Sequence, residues 1–250
     1  MSNKIKIHFL GTNGWYDTKT GNTLCVLLET AWAYIVIDAG NGFYKLDRFI
    51  KDKRPIYLFL SHLHLDHIIG LHTLNKFYFP QGIDLFVDRD AKKHLEMFIN
   101  KPFTSPLKDL STPLRIHTLG EEIIEPLKYS YKKLVHSITC YGFRFEIMGK
   151  IVTFCSDTGS CDNIIELARN ADLFISECSF KTGQTDKKWP HLNPEFAAKL
   201  AQKAEVKKLI LVHFDANVYK TLGERQVAGQ VARKIVRNTV VAKDNLTVII

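Results

Sequence analysis

Apolar and polar positions alternate in blocks along the chain, and these blocks predict a mixture of strands and helices. Compact apolar runs bounded by turn residues, typical of buried strands, cover Ile5–Leu10, Ile56–Leu60 and Lys208–Val212. Helical spacing of apolar residues predicts helices over Gly42–Ile50, Ile68–Phe77, Asp90–Ile99, Ile164–Arg169, Pro194–Lys203 and Gly223–Val236. Strand-only runs lie between the alternating segments, which predicts an α/β fold with helices outside two packed sheets.

The pattern weakens in one stretch, residues 100–126, where prolines are spread along the chain. Long irregular segments of this kind often carry function, so we interpret it as a lid or cap. No linker, repeat or low-complexity segment interrupts the remainder. The sequence therefore predicts a single domain over residues 1–250.

The charge balance and the cysteines restrict the function classes. The chain has 34 basic and 26 acidic residues, a formal net charge of +8, which favours anionic partners such as phosphates, nucleotides or RNA. Five cysteines without C-x-x-C spacing are typical of thiols in a reducing cytoplasm. No apolar stretch is long enough for a leader or a membrane span, so we expect a cytoplasmic protein without a membrane partner.

The strongest chemical signal follows the apolar run Ile56–Leu60, where the chain reads Ser-His-Leu-His-Leu-Asp-His over residues 61–67. In an extended segment His62 and His64 point to the same side, and the turn that follows brings Asp66 and His67 to a nearby point. Imidazole and carboxylate are ligands that suit zinc and related divalent metals. The spacing therefore predicts a metal site at the end of this strand.

This H-x-H-x-D-H string resembles the signature of the metallo-β-lactamase fold superfamily. The resemblance extends to the apolar run Tyr34–Ile37 that ends on Asp38, and to His136, Asp157 and His213 farther along the chain. It implies a four-layer αββα sandwich with the metal site at the strand ends between the two sheets. It also gives Asp38 the role of supporting the metal-binding loop.

The resemblance implies two divalent metal ions, Zn²⁺ first and Mn²⁺ as the alternative. Asp157 would bridge the ions through its carboxylate, and together they would lower the pKa of a bound water. The implied ligands of the first ion are His62, His64, His136 and Asp157, and those of the second are Asp66, His67, Asp157 and His213.

Within the superfamily, several segments resemble ribonuclease Z and related phosphodiesterases: Phe9–Thr12, Thr18–Asn22 and Ser176–Phe180. In such enzymes a histidine ahead of a helix donates a proton to the leaving oxygen, and His191 matches that position. Asp66 would hold the second metal and orient the nucleophile. Lys19, Asn22 and Ser160 are the candidate substrate-binding residues of this comparison.

Three departures separate the chain from full pre-tRNA processing. Leu65 stands where ribonuclease Z typically has glycine, Gly21 stands where it has arginine, and the long arm that grips tRNA is absent. A smaller phosphodiester, such as a cyclic nucleotide or a short oligonucleotide, fits as well as RNA. Hydrolysis of a thioester, lactone or lactam, and an inactive metal-binding module, are the alternatives, and a homodimer is compatible with the resemblance.

Overall fold

The structure is a computed structural model that describes residues 4–121 and 124–250. Contacts divide the chain into two compact units. Of the described residues, unit 1 contains 4–11, 22–121 and 244–249, and unit 2 contains 12–21, 124–243 and 250. The description of residues 1–250 as one domain stays a prediction.

The strands, in chain order, are β1 Lys6–Gly11, β2 Asn13–Gly14, β3 Cys25–Glu29, β4 Tyr34–Ile37, β5 Ile56–Phe59, β6 Ile83–Val87, β7 Leu114–Thr118, β8 Lys128–Lys133, β9 Tyr141–Ile147, β10 Lys150–Cys155, β11 Leu173–Glu177, β12 Leu209–Val212, β13 Phe214–Asp215, β14 Thr239–Val241 and β15 Leu246–Ile249. The α-helices are α1 Leu65–Ile68, α2 Arg89–Phe98, α3 Asp162–Ala168, α4 Pro194–Lys203 and α5 Leu222–Arg233, and 3-10 helices cover Asn41–Arg48, Ile69–Lys76 and Leu107–Asp109. Among the described residues, none of these helices has the length and apolarity needed to cross a bilayer.

Unit 1 is built on a seven-stranded sheet with the order β15-β1-β3-β4-β5-β6-β7. The strands from β4 to β7 run parallel, whereas β15, β1, β3 and β4 pair antiparallel. Apolar side chains of these strands pack with Phe43 and Leu46 of the first 3-10 helix and with Leu95 of α2. Burial of this continuous apolar surface is the main stabilising contribution to the unit.

Unit 2 is built on a six-stranded sheet with the order β14-β12-β11-β10-β9-β8. Strands β10, β11, β12 and β14 run parallel, and β8 and β9 complete the sheet by antiparallel pairing. Helices α3, α4 and α5 contribute Ile164, Ala197, Ala201 and Ala228 to its buried core. Asn193 caps α4 by accepting a hydrogen bond from the Phe196 N–H, as its position before a proline predicts.

The helix predicted over Ile68–Phe77 differs from the structure, which has the short α1 followed by a 3-10 helix over Ile69–Lys76. The cause is Gly70, whose N–H donates to the Ala39 carbonyl at 2.8 Å rather than to a helical carbonyl. A Cβ at Gly70 would lie 2.1 Å from the Gly40 oxygen, so the helix is held against the chain after β4. This packing keeps α1, and the metal motif, close to the end of β4.

The segment 100–126 contains an element that the weak pattern does not indicate. Strand β7 lies within it and extends the sheet of unit 1 by parallel pairing with β6. The segment also contains the 3-10 helix Leu107–Asp109, and residues 122 and 123 lie outside the described residues. The role of residues 100–126 as a lid stays a prediction.

Candidate metal centre

In unit 1 the candidate ligands lie where two parallel strands end. Strands β4 and β5 pair in register, with Ile37 opposite Phe59, so their carboxyl ends lie at one edge of the sheet. Asp38 follows β4, and the Ser61–His67 motif follows β5. The apolar strands thus place both polar segments side by side.

Asp38 organises this half of the site from a fully buried position. Its carboxylate accepts hydrogen bonds from the Ser61 N–H at 2.7 Å and the Ser61 hydroxyl at 2.9 Å, and it accepts another from His67 Nδ1 at 2.8 Å. Its φ of 58° is left-handed, a conformation that non-glycine residues adopt rarely and mostly under tertiary constraint. Asp38 therefore fixes the His67 ring and leaves Nε2 as the nitrogen that offers a lone pair.

The other imidazoles of unit 1 are oriented in the same way. The Ser61 hydroxyl has one hydrogen, which it donates to Asp38, so His62 Nδ1 is the donor in its 3.0 Å contact with that hydroxyl. His62 Nε2 then offers a lone pair, and it lies 3.0 Å from His64 Nδ1. His67 Nε2, also a lone-pair nitrogen, lies 3.5 Å from Asp66 Oδ2.

In unit 2 the candidate residues also follow parallel strands. Asp157 lies two residues after β10, Glu177 ends β11, and His213 directly follows β12. The three strands are neighbours and run parallel, so all three side chains lie at one sheet edge. Asp157 and His213 have left-handed backbones, with φ of 45° and 52°. Conformations of this kind cluster at functional sites.

His213 is fixed by Ser179 as His62 is fixed by Ser61. The Ser179 hydroxyl donates to the His213 carbonyl at 3.0 Å, so His213 Nδ1 donates to that hydroxyl at 3.1 Å. His213 Nε2 is therefore a lone-pair nitrogen, and it lies 3.0 Å from Asp157 Oδ1. The other carboxylate oxygen of Asp157 lies 3.6 Å from His136 Nε2. Each oxygen of one buried carboxylate thus faces a different imidazole.

These contacts fit a metal ion by their donor chemistry. A lone-pair nitrogen and a carboxylate oxygen repel each other at 3.0 Å unless a cation or a proton lies between them. Two ligands bound tetrahedrally to zinc at their usual bond lengths lie about 3.3–3.6 Å apart. The contacts within each unit, at 3.0–3.6 Å, bracket that spacing. Within unit 2, ligand atoms of Asp157, His191 and His213 also lie within 4.8 Å of one another.

Next to these ligands His191 pairs with Glu177, a residue that the sequence analysis did not place in the site. His191 Nδ1 lies 2.8 Å from a carboxylate oxygen of the fully buried Glu177. The same carboxylate accepts the Thr158 N–H at 2.6 Å and the Ser179 N–H at 3.1 Å. Burial lowers the pKa of His191, but the charge and hydrogen bond of Glu177 outweigh it, so the pKa lies above its ordinary value.

The predicted substrate-binding residues lie in three different settings. Lys19 is exposed in the turn between Thr18 and Gly21 of unit 2. The backbone N–H of Asn22, in unit 1, donates to the Asp244 carboxylate at 2.9 Å. Ser160 is exposed, three residues after Asp157. Their contact with a substrate stays a prediction.

Comparison with known proteins identifies the family to which this chain belongs. The family model described as the beta-lactamase superfamily domain matches residues 33–214. Ribonuclease Z of Bacillus velezensis is 25% identical over 85% of this chain and 88% of its own. The probable metallo-hydrolase YhfI of Bacillus subtilis is 25% identical over 84% of this chain and 86% of its own.

Solved structures show that the fold is shared over almost the whole chain. The metallo-beta-lactamase fold protein YhfI superposes with a TM-score of 0.83 at 21% identity, covering 99% of this chain and 100% of that one. The short form of human tRNase Z superposes with a TM-score of 0.76 at 21% identity, covering 97% and 98%. These likenesses confirm a mixed α/β fold with two large sheets. The chain belongs to the beta-lactamase superfamily, and it is a metallo-hydrolase of that family.

Proposed function

We propose that this protein is a phosphodiesterase with two divalent metal ions, Zn²⁺ first and Mn²⁺ second, acting on a nucleotide or another small phosphodiester. One observation supports the metal centre most: in both units a lone-pair nitrogen faces a carboxylate oxygen, at 3.5 and 3.0 Å, close to the spacing of ligands that share an ion. In this proposal the first ion is held by His62, His64, His136 and Asp157, and the second by Asp66, His67, Asp157 and His213.

The metal ions would supply Lewis acidity and a bound water of lowered pKa. The residues of the chain would donate the proton and hold the metal-binding side chains in position. His191, held by Glu177, would donate its proton to the oxygen that leaves phosphorus. Its raised pKa keeps a larger fraction of the ring protonated near neutral pH, which suits a general acid. Asp38 and Ser61 would hold the imidazoles in position through the reaction.

Two observations support a phosphodiester as the substrate: the net charge of the chain and its similarity to named relatives. The net charge of +8 favours an anionic substrate. Relatives along most of the chain are named ribonuclease Z, an enzyme class that cleaves phosphodiesters in RNA. RNA is therefore a candidate substrate alongside small nucleotides, and Lys19, Asn22 and Ser160 are the proposed substrate contacts. A homodimer is part of the same proposal.

The first experiment measures hydrolysis of bis(p-nitrophenyl) phosphate together with the metal content of the same protein sample. We expect turnover with about two metal ions per chain. His64→Ala should lose metal and turnover, while His94→Ala, an exposed histidine on α2, serves as the matched control and should keep both. If the protein binds two metal ions but does not cleave the phosphodiester, the result would favour hydrolysis of a thioester, lactone or lactam instead. Protein that takes up no metal after reconstitution would refute the ligand assignment.

A further inference from the structure

A large aromatic side chain lies exposed beside the proposed proton donor. Trp189 is 48% exposed, and its ring centroid lies 6.1 Å from that of His191 and 5.8 Å from that of His136. All three residues belong to unit 2. A tryptophan has 150–250 Å² of surface to bury, so roughly 100 Å² of indole remains accessible at the rim of this half of the site. An exposed apolar surface marks a ligand contact when it forms a patch with its neighbours.

The backbone around Trp189 is held in one conformation. The Asp186 carboxylate accepts the N–H groups of Lys188 at 2.8 Å and of Trp189 at 3.2 Å, which closes a tight turn. Pro190 follows and restricts the chain further. A Cβ at Gly159 would lie 3.0 Å from the Pro190 Cβ, so the loop after Asp157 packs directly against this proline. The indole is therefore presented on a preorganised turn, which reduces the entropy lost when a ligand binds.

The residues next to the indole determine what kind of ligand fits. Lys187 and Lys188 are both exposed and directly precede Trp189. Val135 and Ile138, on either side of His136, are 48% and 41% exposed and add apolar surface. Proteins that bind single-stranded nucleic acid or nucleotides combine cationic side chains for phosphate with an aromatic face for the base.

We propose that Trp189, with Lys187 and Lys188, forms a base-stacking subsite for the nucleoside on the leaving-group side of the substrate. The nucleobase stacks on the indole, and the lysines interact with a neighbouring phosphate. The side is assigned because Trp189 contacts His191, which donates its proton to the leaving oxygen in the proposed function. The inference rests on that function for its place in the reaction, but not for the binding itself.

Calorimetric titration of the metal-loaded protein with adenosine 5′-monophosphate and with ribose 5-phosphate tests the subsite, because the second probe carries a hydroxyl group in place of the base. We expect the nucleotide to bind about tenfold more tightly than the sugar phosphate, since stacking of one base on an aromatic residue contributes on that scale. Trp189→Ala should remove this preference, and Trp189→Phe should keep most of it. Metal content and melting temperature are measured for each variant, so that loss of the fold is recognised.

The lysines are tested by a charge-matched pair of variants. Lys187→Ala/Lys188→Ala should weaken both probes several-fold at low salt, with a smaller salt dependence. Lys92→Ala/Lys93→Ala removes two charges from α2 and should leave both affinities unchanged.

The results separate this inference from the proposed function. Equal binding of the two probes to the wild type, or an unchanged preference in Trp189→Ala, overturns the subsite even if phosphodiesters are hydrolysed. A dimer that dissociates in Trp189→Ala while the preference is unchanged also overturns it, because the indole then serves subunit contact. Loss of the preference in Trp189→Ala supports the subsite even where the wild type cleaves no phosphodiester, a result that refutes only the proposed function.

Discussion

Replacing Glu177 by glutamine separates proton donation from metal binding. The glutamine keeps the shape of the side chain and can still accept from His191 Nδ1 and the Thr158 N–H through one oxygen. The substitution removes the negative charge. It also replaces the oxygen that accepts the Ser179 N–H at 3.1 Å in the wild type by an NH₂ group, which cannot accept that hydrogen bond. None of the seven proposed metal ligands is changed.

The size of the effect follows from the hydrogen bond between His191 and Glu177. A hydrogen bond to a charged group contributes about 1.5–3 kcal/mol and a neutral one about 0.5–1.5 kcal/mol, so the substitution removes roughly 1–2 kcal/mol that favours the protonated ring. That difference lowers the protonated fraction of His191 about tenfold at a pH above its pKa. The pKa of His191 shifts down, because burial is then less opposed by the carboxylate. Turnover that requires this proton should fall about 10- to 100-fold.

The assay compares two leaving groups at several pH values. The p-nitrophenolate ion leaves phosphorus without a proton, whereas an alkoxide needs one. We therefore expect Glu177→Gln and His191→Ala to lose activity on an alkyl phosphodiester and to retain most of it on bis(p-nitrophenyl) phosphate. For the alkyl substrate, the decline of rate with rising pH should begin at lower pH in Glu177→Gln. An equal loss on both substrates, with bound metal unchanged, would refute proton donation by this pair.

Three other changes test the supporting structure. Asp38→Asn should lower metal affinity about 10- to 100-fold, because its carboxylate orients His67; metal titration against a chromophoric chelator measures this. Gly14→Ala should displace His213 and reduce metal content, since the new Cβ would lie 2.5 Å from the ring; elemental analysis and circular dichroism separate this effect from unfolding. Under native conditions a thiol reagent should label Cys161 and spare the four buried cysteines, and absorbance at the reagent's product band counts the labelled thiols.

Each of these expectations has a result that contradicts it. Wild-type metal affinity in Asp38→Asn would show that His67 keeps its orientation without the charge. Full metal content in Gly14→Ala would mean that strand β2 moves to accommodate the methyl group. Rapid labelling of more than one thiol in the folded protein would contradict the burial of at least one of the other four cysteines. Burial raises the pKa values of Cys25 and Cys155 well above the ordinary range, which also slows their reaction.

The sequence brings forward most of the candidate metal ligands because they directly follow or lie close to an apolar strand, as the motif after β5 does. Val212 and His213 illustrate the rule: the strand is buried on both faces, so its polar successor is visible in the pattern. The same rule does not identify Glu177, because this residue is the last one of β11 itself. Neighbouring residues in the sequence do not indicate that a carboxylate within a strand is buried. Its three donors explain its burial, and two of them, the Thr158 N–H and His191 Nδ1, lie outside the segment around Glu177.

The segment 100–126 shows a second limit of prediction from the sequence pattern. Strand β7 has one buried residue, Thr118, so it lacks the continuous apolar run by which a buried strand is recognised. Its pairing with β6 and the contact of Arg115 with Asp84, at 2.6 and 2.8 Å, stabilise it at the edge of the sheet. These are long-range interactions, and a pattern of neighbouring residues does not contain them.

The pairing of β15 with β1 has a consequence for how the protein is made. Lys6 lies opposite Ile249, so the outer neighbour of β1 is synthesised long after β1 itself. Throughout translation β1 therefore exposes a row of backbone N–H and C=O groups on that side, an edge on which other chains can add. That edge closes once residues 246–249 have emerged, so a nascent chain that lacks them is more prone to association.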